Sequence, residues 1–359
     1  MSLVISFNSL KSRSSLYLIN NTLKASSLSK KFYSTEAPPK TQLKVNEELD
    51  QILTEFNVPV RFACGYGSGV FKQLGYDANQ ASPQVDLIFG VSHPEHWHSQ
   101  NFKKNPHHYS GMKYLGSNFV SKIQNVGAGI YYNPYCQIGN LKVKYGVVSM
   151  DRLINDLLKW ETLYLAGRMQ KPLRILQDDP QIKIANQINR SIALRASLLM
   201  LPETFTSKDL FMALTSISYT GDIRMTIGEN PKKIENIVLA QSEFFEEIYN
   251  PIIDAFPNLS RMGNGILKQD YSDKLVPMII NKLPLKFGSY LESEYKLQTK
   301  QFGDKIEYKR CPELVQSTIQ AFSHIVKEPA FNQTVKGLFT AGLTRSLRYV
   351  GEKLSKRFQ

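Results

Sequence analysis

The stretch that decides the fold is Arg61–Val91, "RFACGYGSGVFKQLGYDANQASPQVDLIFGV". It opens as an apolar strand at about Val60–Cys64 and breaks on Gly65-Tyr66-Gly67-Ser68-Gly69. It returns as a second strand, about Gln84–Val91, that carries one acid, Asp86. Glycines let a backbone approach a phosphate with no Cβ in the way, and successive N–H groups can converge on one anion. The Ser68 hydroxyl adds a donor. A magnesium ion takes hard oxygen ligands, typically one or two carboxylates plus phosphate oxygens. A strand, a Gly-Ser corner and an Asp on the next strand therefore meet the minimum demand of nucleotidyl transfer. The 18 residues from Ser68 to Asp86 leave room for a helix and a turn. The corner is neither a Walker loop nor a dinucleotide fingerprint, and by itself it is also compatible with a structural turn.

The rest of the chain bounds this reading. At 359 residues, 42% hydrophobic and 21% charged, it is long enough for two domains with cores. No window approaches about 18 uninterrupted apolar residues, so any membrane contact is expected to be peripheral. Three cysteines, Cys64, Cys136 and Cys311, form no Cys-x-x-Cys pair and suit a reducing compartment. Residues 1–34 hold five cations, ten serines and no acid, the composition of a mitochondrial transit peptide. Without them the net charge falls from +13 to +8, which still favours anionic partners.

Periodicity orders the elements. "NEELDQILTEF" (Asn46–Phe56) has helical spacing, "SNFVSKIQNV" reads as a helix and "NLKVKYGVVS" as a strand. "MDRLINDLLKWETLYLAG" reads as one amphipathic helix ending on Gly167. Beyond about 172–180 the chain turns helical. "DPQIKIANQINRSIALRASLLML" stops at Pro202, and the next helix is capped by Thr206 or Ser207. "KKIENIVLAQSEFFEEIYNPI" reads as a further helix. The class is α+β (mixed α/β).

The blocks "FACGYGSGVF", "VDLIFGVSHPEHWHSQNFKKNPHHYS", "VGAGIYYNPY", "LINDLLKWETLYLAGRMQKP", "ISYTGDIRM" and "ENPKKIENIV" stand in order from about Val58 onward. Together they resemble the mitochondrial translocator assembly and maintenance protein family, the mitochondrial CDP-diacylglycerol synthases or phosphatidate cytidylyltransferases. The resemblance implies a polymerase-beta-like nucleotidyltransferase domain (45–175) and a winged-helix-like helical domain (176–330). It also implies CTP and Mg2+, phosphatidic acid as acceptor, and residence on the matrix face of the inner membrane, feeding cardiolipin and phosphatidylglycerol synthesis. Gly67 and Ser68 look like the superfamily's triphosphate-holding Gly-Ser, and Asp86 like the first acid of its metal pair. Ile88 stands where the second acid is usual, and Lys142 and Lys144 lie where a third is expected. Asp156, Asp222 or a histidine of 93–108 is left to complete the metal site.

The chemistry supplies further candidates. A phosphomonoester has its second pKa near about 6, so no general base is compulsory. Two polyanions must instead be neutralised and held in line. Lys171 and Arg168, then Lys144, are the candidate clamps on the CTP phosphates, together with Gly65, Tyr66, Gly67, Ser68 and Gly69. Asp86, Ser68 and Lys171 are the candidate catalytic residues. Five of the six histidines fall in 93–108, where phosphate contact and loop packing both remain open. Asp222 and Arg224 read either as an ion pair between domains or as substrate ligands. In the tail (336–359), Phe339, Leu343, Leu347, Val350, Leu354 and Phe358 form one stripe flanked by cations such as Arg348. It is read as a helix lying in anionic inner-membrane lipid, against the alternative of a helix docked on the protein's own core. No nucleic-acid partner is expected. An RNA-directed nucleotidyltransferase and a non-enzymatic factor for protein import are the competing functions.

Overall fold

The computed structural model describes residues 49, 52–71, 84–227, 230–301, 303 and 306–341. Residues 72–83 lie outside them, as do the leader and Leu343, Leu347, Arg348, Val350, Leu354 and Phe358 of the tail stripe. The architecture is mixed α and β. No helix among the described residues is long and apolar enough to cross a membrane.

A helical segment ending at Phe56 leads into β1 (Phe62–Tyr66), which runs two residues past the expected strand and takes in Gly65 and Tyr66. β2 (Val85–Val91) follows, then α1 (Pro94–Lys104) and α2 (Gly116–Asn125). β3 (Ile130–Ile138) and β4 (Leu141–Ser149) form a hairpin. Helix α3 (Met150–Lys159) and the short α4 (Ala166–Met169) lead to β5 (Arg174–Gln177). The sheet order is β3-β4-β2-β1-β5. β2 pairs antiparallel with β1 and parallel with β4. Since β5 pairs with β1, the first sheet closes across residue 176, where the sequence reading divides the chain.

Side-chain alternation sorts the sheet into two faces. Ala63, Leu87, Phe89, Val143 and Val147 pack under Ile52 and Phe56. Phe62, Cys64 and Ile88 point the other way, into a core continuous with Trp160, Phe211, Phe245 and Phe322. The two halves of the chain therefore share one interior.

The second half comprises α5 (Pro180–Leu198), β6 (Thr204–Thr206), α6 (Ser207–Ser216), α7 (Ile223–Ile227), α8 (Lys233–Ala240) and α9 (Ser242–Asp254). The hairpin β7 (Leu259–Gly263) and β8 (Ile266–Gln269) comes next. α10 (Leu275–Ile280), α11 (Leu285–Thr299) and the long α12 (Pro312–Ala341) complete it. The second sheet has the order β6-β8-β7. Thr206 caps α6 in a reciprocal box with Asp209. The helix expected over 232–252 is two, α8 and α9, broken at Gln241 (φ −123°, ψ 18°). α12 has no counterpart in the sequence expectations. It takes in the start of the tail, and Lys336 within it is buried.

The amphipathic helix expected to end on Gly167 stops eight residues earlier. Ser149 caps α3, and Trp160 terminates it in the left-handed conformation (φ 52°). The reason is Asp156. Its buried carboxylate accepts from Thr162 N and Oγ1 (2.7 and 2.8 Å), Leu163 N (3.1 Å), Leu165 N (2.9 Å) and Ala166 N (3.0 Å). One side chain thus organises the turn and the first donors of α4. Gly167 is no helix stop but lies inside α4. A Cβ there would come within 2.3 Å of Ser218 Cβ. We expect Asp156→Ala to orphan these buried donors and to cost roughly 3 kcal/mol or more in urea-induced unfolding. A change under about 1 kcal/mol would refute this role.

Candidate active site

Three neighbouring strands meet at the corner. Tyr66 is the register partner of Asp86, and Asp86 is the register partner of Lys144. Gly67 turns the chain out of β1 at φ +76°, where an L side chain is strained. Its carbonyl accepts from Val70 N and Phe71 N (3.1 and 2.9 Å), so a helical turn starts at once. The first N–H groups of such a turn have no partner within it, which leaves Ser68 and Gly69 at its donor end. A Cβ built on Gly67 would lie 3.6 Å from Asp86 Oδ2, so corner and acid are neighbours. Gly69 has a packing reason, since a Cβ there would meet the Gln84 carbonyl at 2.3 Å. Gly65 sits within β1, where a side chain would press on Val70.

Asp86 is partly exposed, with Lys144 Nζ 3.5 Å from its Oδ1. Two residues on and on the same face, Ile88 is wholly buried. The position where the sequence reading looks for a second acid is thus a core position here, and a carboxylate would have no water or partner there. Among the described residues no group of three or more potential ligands could hold a metal. Both carboxylate oxygens of Asp156 are occupied by the Thr162 hydroxyl and backbone donors of its own turn. Asp222 binds Arg224, whose Nη2 is 2.5 Å from its Oδ2 and whose Nε is 2.9 Å from its Oδ1. Burial opposes ionisation of Asp222, but Arg224 and then Arg168 hold its carboxyl below the usual range. The Asp222–Arg224 pair is internal to its own turn.

Around Asp86 the two halves contribute cations seated on tyrosine faces. Lys144 lies 4.6 Å from the Tyr132 ring centre. Arg168 lies 3.7 Å from that of Tyr164 and 6.0 Å from that of Tyr66, with Arg224 5.9 Å from Tyr164. Lys171 and Lys233 approach one ring, Tyr219, at 5.1 and 5.2 Å. Tyr66 and Tyr132 share a hydrogen bond of 3.2 Å. Burial raises the Tyr66 phenol, and Asp86 raises it further. Burial would also raise Tyr164, but Arg168, Arg224 and Lys144 pull it below its ordinary value. Lys171 donates to the Gly167 carbonyl and to Ser218 Oγ (2.8 Å). Burial first, then Arg168 and Lys233, push its ammonium well below the usual range. The arrangement holds more positive charge than its two acids balance, which is the setting for a polyanion. Sequence reasoning misses Tyr132, Tyr164, Tyr219 and Lys233. Only the cations among the family-like blocks hint at them.

The histidines divide. His98 is buried, its Nδ1 2.7 Å from Tyr109 Oη and its Nε2 2.9 Å from Gln124 Oε1. His108 meets Tyr145 Oη at 3.0 Å, and His96 contacts Gln100 at the surface. Packing, not phosphate contact, is therefore the use of His98 and His108.

The family model described as "Phosphatidate cytidylyltransferase, mitochondrial" matches residues 49–356. The mitochondrial phosphatidate cytidylyltransferase of Saccharomyces cerevisiae is 38% identical over 318 residues, 87% of this chain and 71% of the relative. That of Schizosaccharomyces pombe is 37% identical, over 90% of this chain and 86% of the relative. That of Mus musculus is 37% identical, over 87% and 94%. The chain belongs to this family of nucleotidyltransferases.

One titration is testable directly. Burial drops His98 from 6.5 to about 4, so the folded state binds fewer protons than the unfolded chain between those values. Stability is then unaffected above pH 6.5 and is lost as pH falls toward 4, by up to about 3 kcal/mol. We expect His98→Asn to flatten the stability profile across that window. A slope equal to the wild type would exclude His98 as its source.

Proposed function

We propose that the chain transfers the cytidylyl group of CTP to phosphatidic acid, giving CDP-diacylglycerol and pyrophosphate. The observation that supports this best is the meeting of Gly67, Ser68 and Asp86 beside Lys144 and Arg168, at one end of a run of cations drawn from both halves. The relatives' names, phosphatidate cytidylyltransferase, add the substrates.

The Gly67–Gly69 turn receives the triphosphate through its N–H groups and the Ser68 hydroxyl. Arg168, Lys171 and Lys144 spread positive charge along it, and Arg224 and Lys233 extend that charge toward the second substrate. The site has one carboxylate for a magnesium ion, which fits an ion that draws its remaining ligands from substrate phosphates. When bound there by Asp86, the ion would neutralise the phosphates and polarise the α-phosphoryl group. A phosphate oxygen of phosphatidic acid attacks the α-phosphorus. The bond from that phosphorus to the bridging oxygen breaks, and pyrophosphate departs with the electron pair. The attacking oxygen is already ionised, so the chain need not remove a proton. Its task is to hold two repelling anions in line.

The same proposal covers finer placement. The sheet of β1–β5 is read as a polymerase-beta-like nucleotidyltransferase core. The unit α5, β6, α6, α8, α9 and the β7–β8 hairpin is read as winged-helix-like, supported by its order β6-β8-β7. The cationic, acid-free leader supports import to the matrix, and the tail stripe supports docking on the inner membrane, where the product feeds cardiolipin and phosphatidylglycerol synthesis.

Full-length protein incubated with radiolabelled CTP, magnesium and phosphatidic acid vesicles should yield an organic-soluble labelled lipid. Asp86→Asn and Ser68→Ala should each lower kcat/KM by about 10²–10³-fold. Arg168→Lys should act mainly through KM, because a point charge cannot reproduce the fork of a guanidinium. Absence of labelled lipid with the wild type would overturn the proposal. Undiminished product from both corner variants would remove the corner from it.

A further inference from the structure

The second surface helix is amphipathic in an unexpected sense. α2 buries Val120 and Gln124 on one side. On the other, Leu115 at the N-cap, Phe119 and Lys122 follow at spacings of four and three, which is one face of a helix, and Val126 stands at its C-terminal cap. Leu115 is 57% exposed, Phe119 38% and Val126 54%, and the preceding Tyr114 is 83% exposed. Contiguous exposed apolar faces of this kind mark interaction sites.

Charge indicates what covers this one. From His96 to Met150 the sequence has no acid and six lysines. Lys113 lies 5.2 Å from the Tyr114 ring centre, and Lys103, Lys104 and Lys122 are exposed nearby in the chain. Glu95 reaches the flank of α2 through Asn118 (3.2 Å), beside the apolar line rather than on it. Apolar residues flanked by lysines, with a tyrosine at the edge, are suited to the boundary of an anionic bilayer. The face also has a neighbour. Lys336 of α12 donates to the carbonyls of Gln124 and Val126 (3.1 and 2.7 Å), the last acceptors of α2. A Cβ on Gly127 would lie 3.1 Å from Asn332 of the same helix. Less than one turn beyond Lys336, Phe339 is 69% exposed, the first residue of the tail stripe.

We infer that Tyr114 and the Leu115–Phe119–Val126 face of α2 are a second lipid-contacting element, seated beside the C-terminal helix and taking an anionic bilayer surface. It does not depend on the enzymatic reading, because binding is measured without CTP. Full-length protein should float with vesicles of phosphatidylcholine and phosphatidylserine, an anionic lipid without a phosphomonoester, and less with phosphatidylcholine alone. Leu115→Asp/Phe119→Asp should weaken that partition by roughly tenfold, while the thermal midpoint and CTP binding stay unchanged. Phe119→Trp provides a second reading. The emission of the introduced indole should shift to the blue on vesicles and be quenched by brominated lipid. Unchanged partition of the double variant, or no response of the indole's emission, would overturn the inference. So would a wild-type dimer that the double variant converts to monomer without loss of vesicle binding, which would make this face a contact between copies.

Discussion

The site depends on one carboxylate kept among cations. Asp86, near the start of the central strand β2, faces Lys144 at 3.5 Å, and both side chains are partly exposed. Such a pair contributes only about 0–1 kcal/mol, so re-aiming Lys144 toward a phosphate costs little. Everything else in the arrangement is less negotiable. Arg168, Lys171 and Arg224 are held on tyrosine faces, and burial, then the like charges of Arg168 and Lys233, depress the Lys171 ammonium. A cluster of this sign is unfavourable empty and favourable around a polyanion, so a triphosphate bound there would relieve a strain that the fold maintains.

That strain is maintained by a buried polar frame. Asn189 on α5 accepts from Trp160 Nε1 (2.9 Å) and Gln170 Nε2 (3.1 Å), and donates to the Ala166 carbonyl (2.9 Å). Tyr249 on α9 donates to the Gln170 carbonyl (2.9 Å). With the five acceptances of Asp156, these bonds fix α4, the four-residue helix that carries Arg168, from three directions. The cations are placed by satisfied interior groups, which hold a geometry more firmly than a surface loop does.

What the sequence discloses follows from locality. β1, the corner and β2 are legible because alternation and glycines are local signals, and the Thr206 cap because its box spans four residues. The end of α3 is not, since apolar periodicity continues through Trp160–Leu165 while one buried acid redirects the backbone. Asp156 resembles any helix acid until its acceptors are seen. The histidine cluster misleads in a related way: two of its members serve a hydrogen-bonded core with Tyr109, Tyr145 and Gln124. Tyr66, Tyr132, Tyr164 and Tyr219 are spread over 153 positions of the chain (219 − 66), and only the shared interior brings them to one place. Ile88 stands where a second acid is expected from the sequence because the face that opens at Asp86 closes into core two residues later.

The long C-terminal helix connects these parts mechanically. α12 packs against α11, against the edge strand β3 and against α7, which bears Arg224. At Gly221 (φ +80°) a Cβ would come within 2.6 Å of Ser323 Oγ, so the turn that presents Asp222 and Arg224 rests directly on this helix. Thirteen residues further, about 20 Å along the axis, the same helix grips the end of α2 through Lys336. A lipid surface seated at α2 and Phe339 would therefore stand in a fixed relation to the Arg224 turn. For a substrate whose acyl chains remain in the bilayer, that relation matters more than affinity for the membrane. It would set the distance the headgroup must travel between the bilayer and the Arg224 turn.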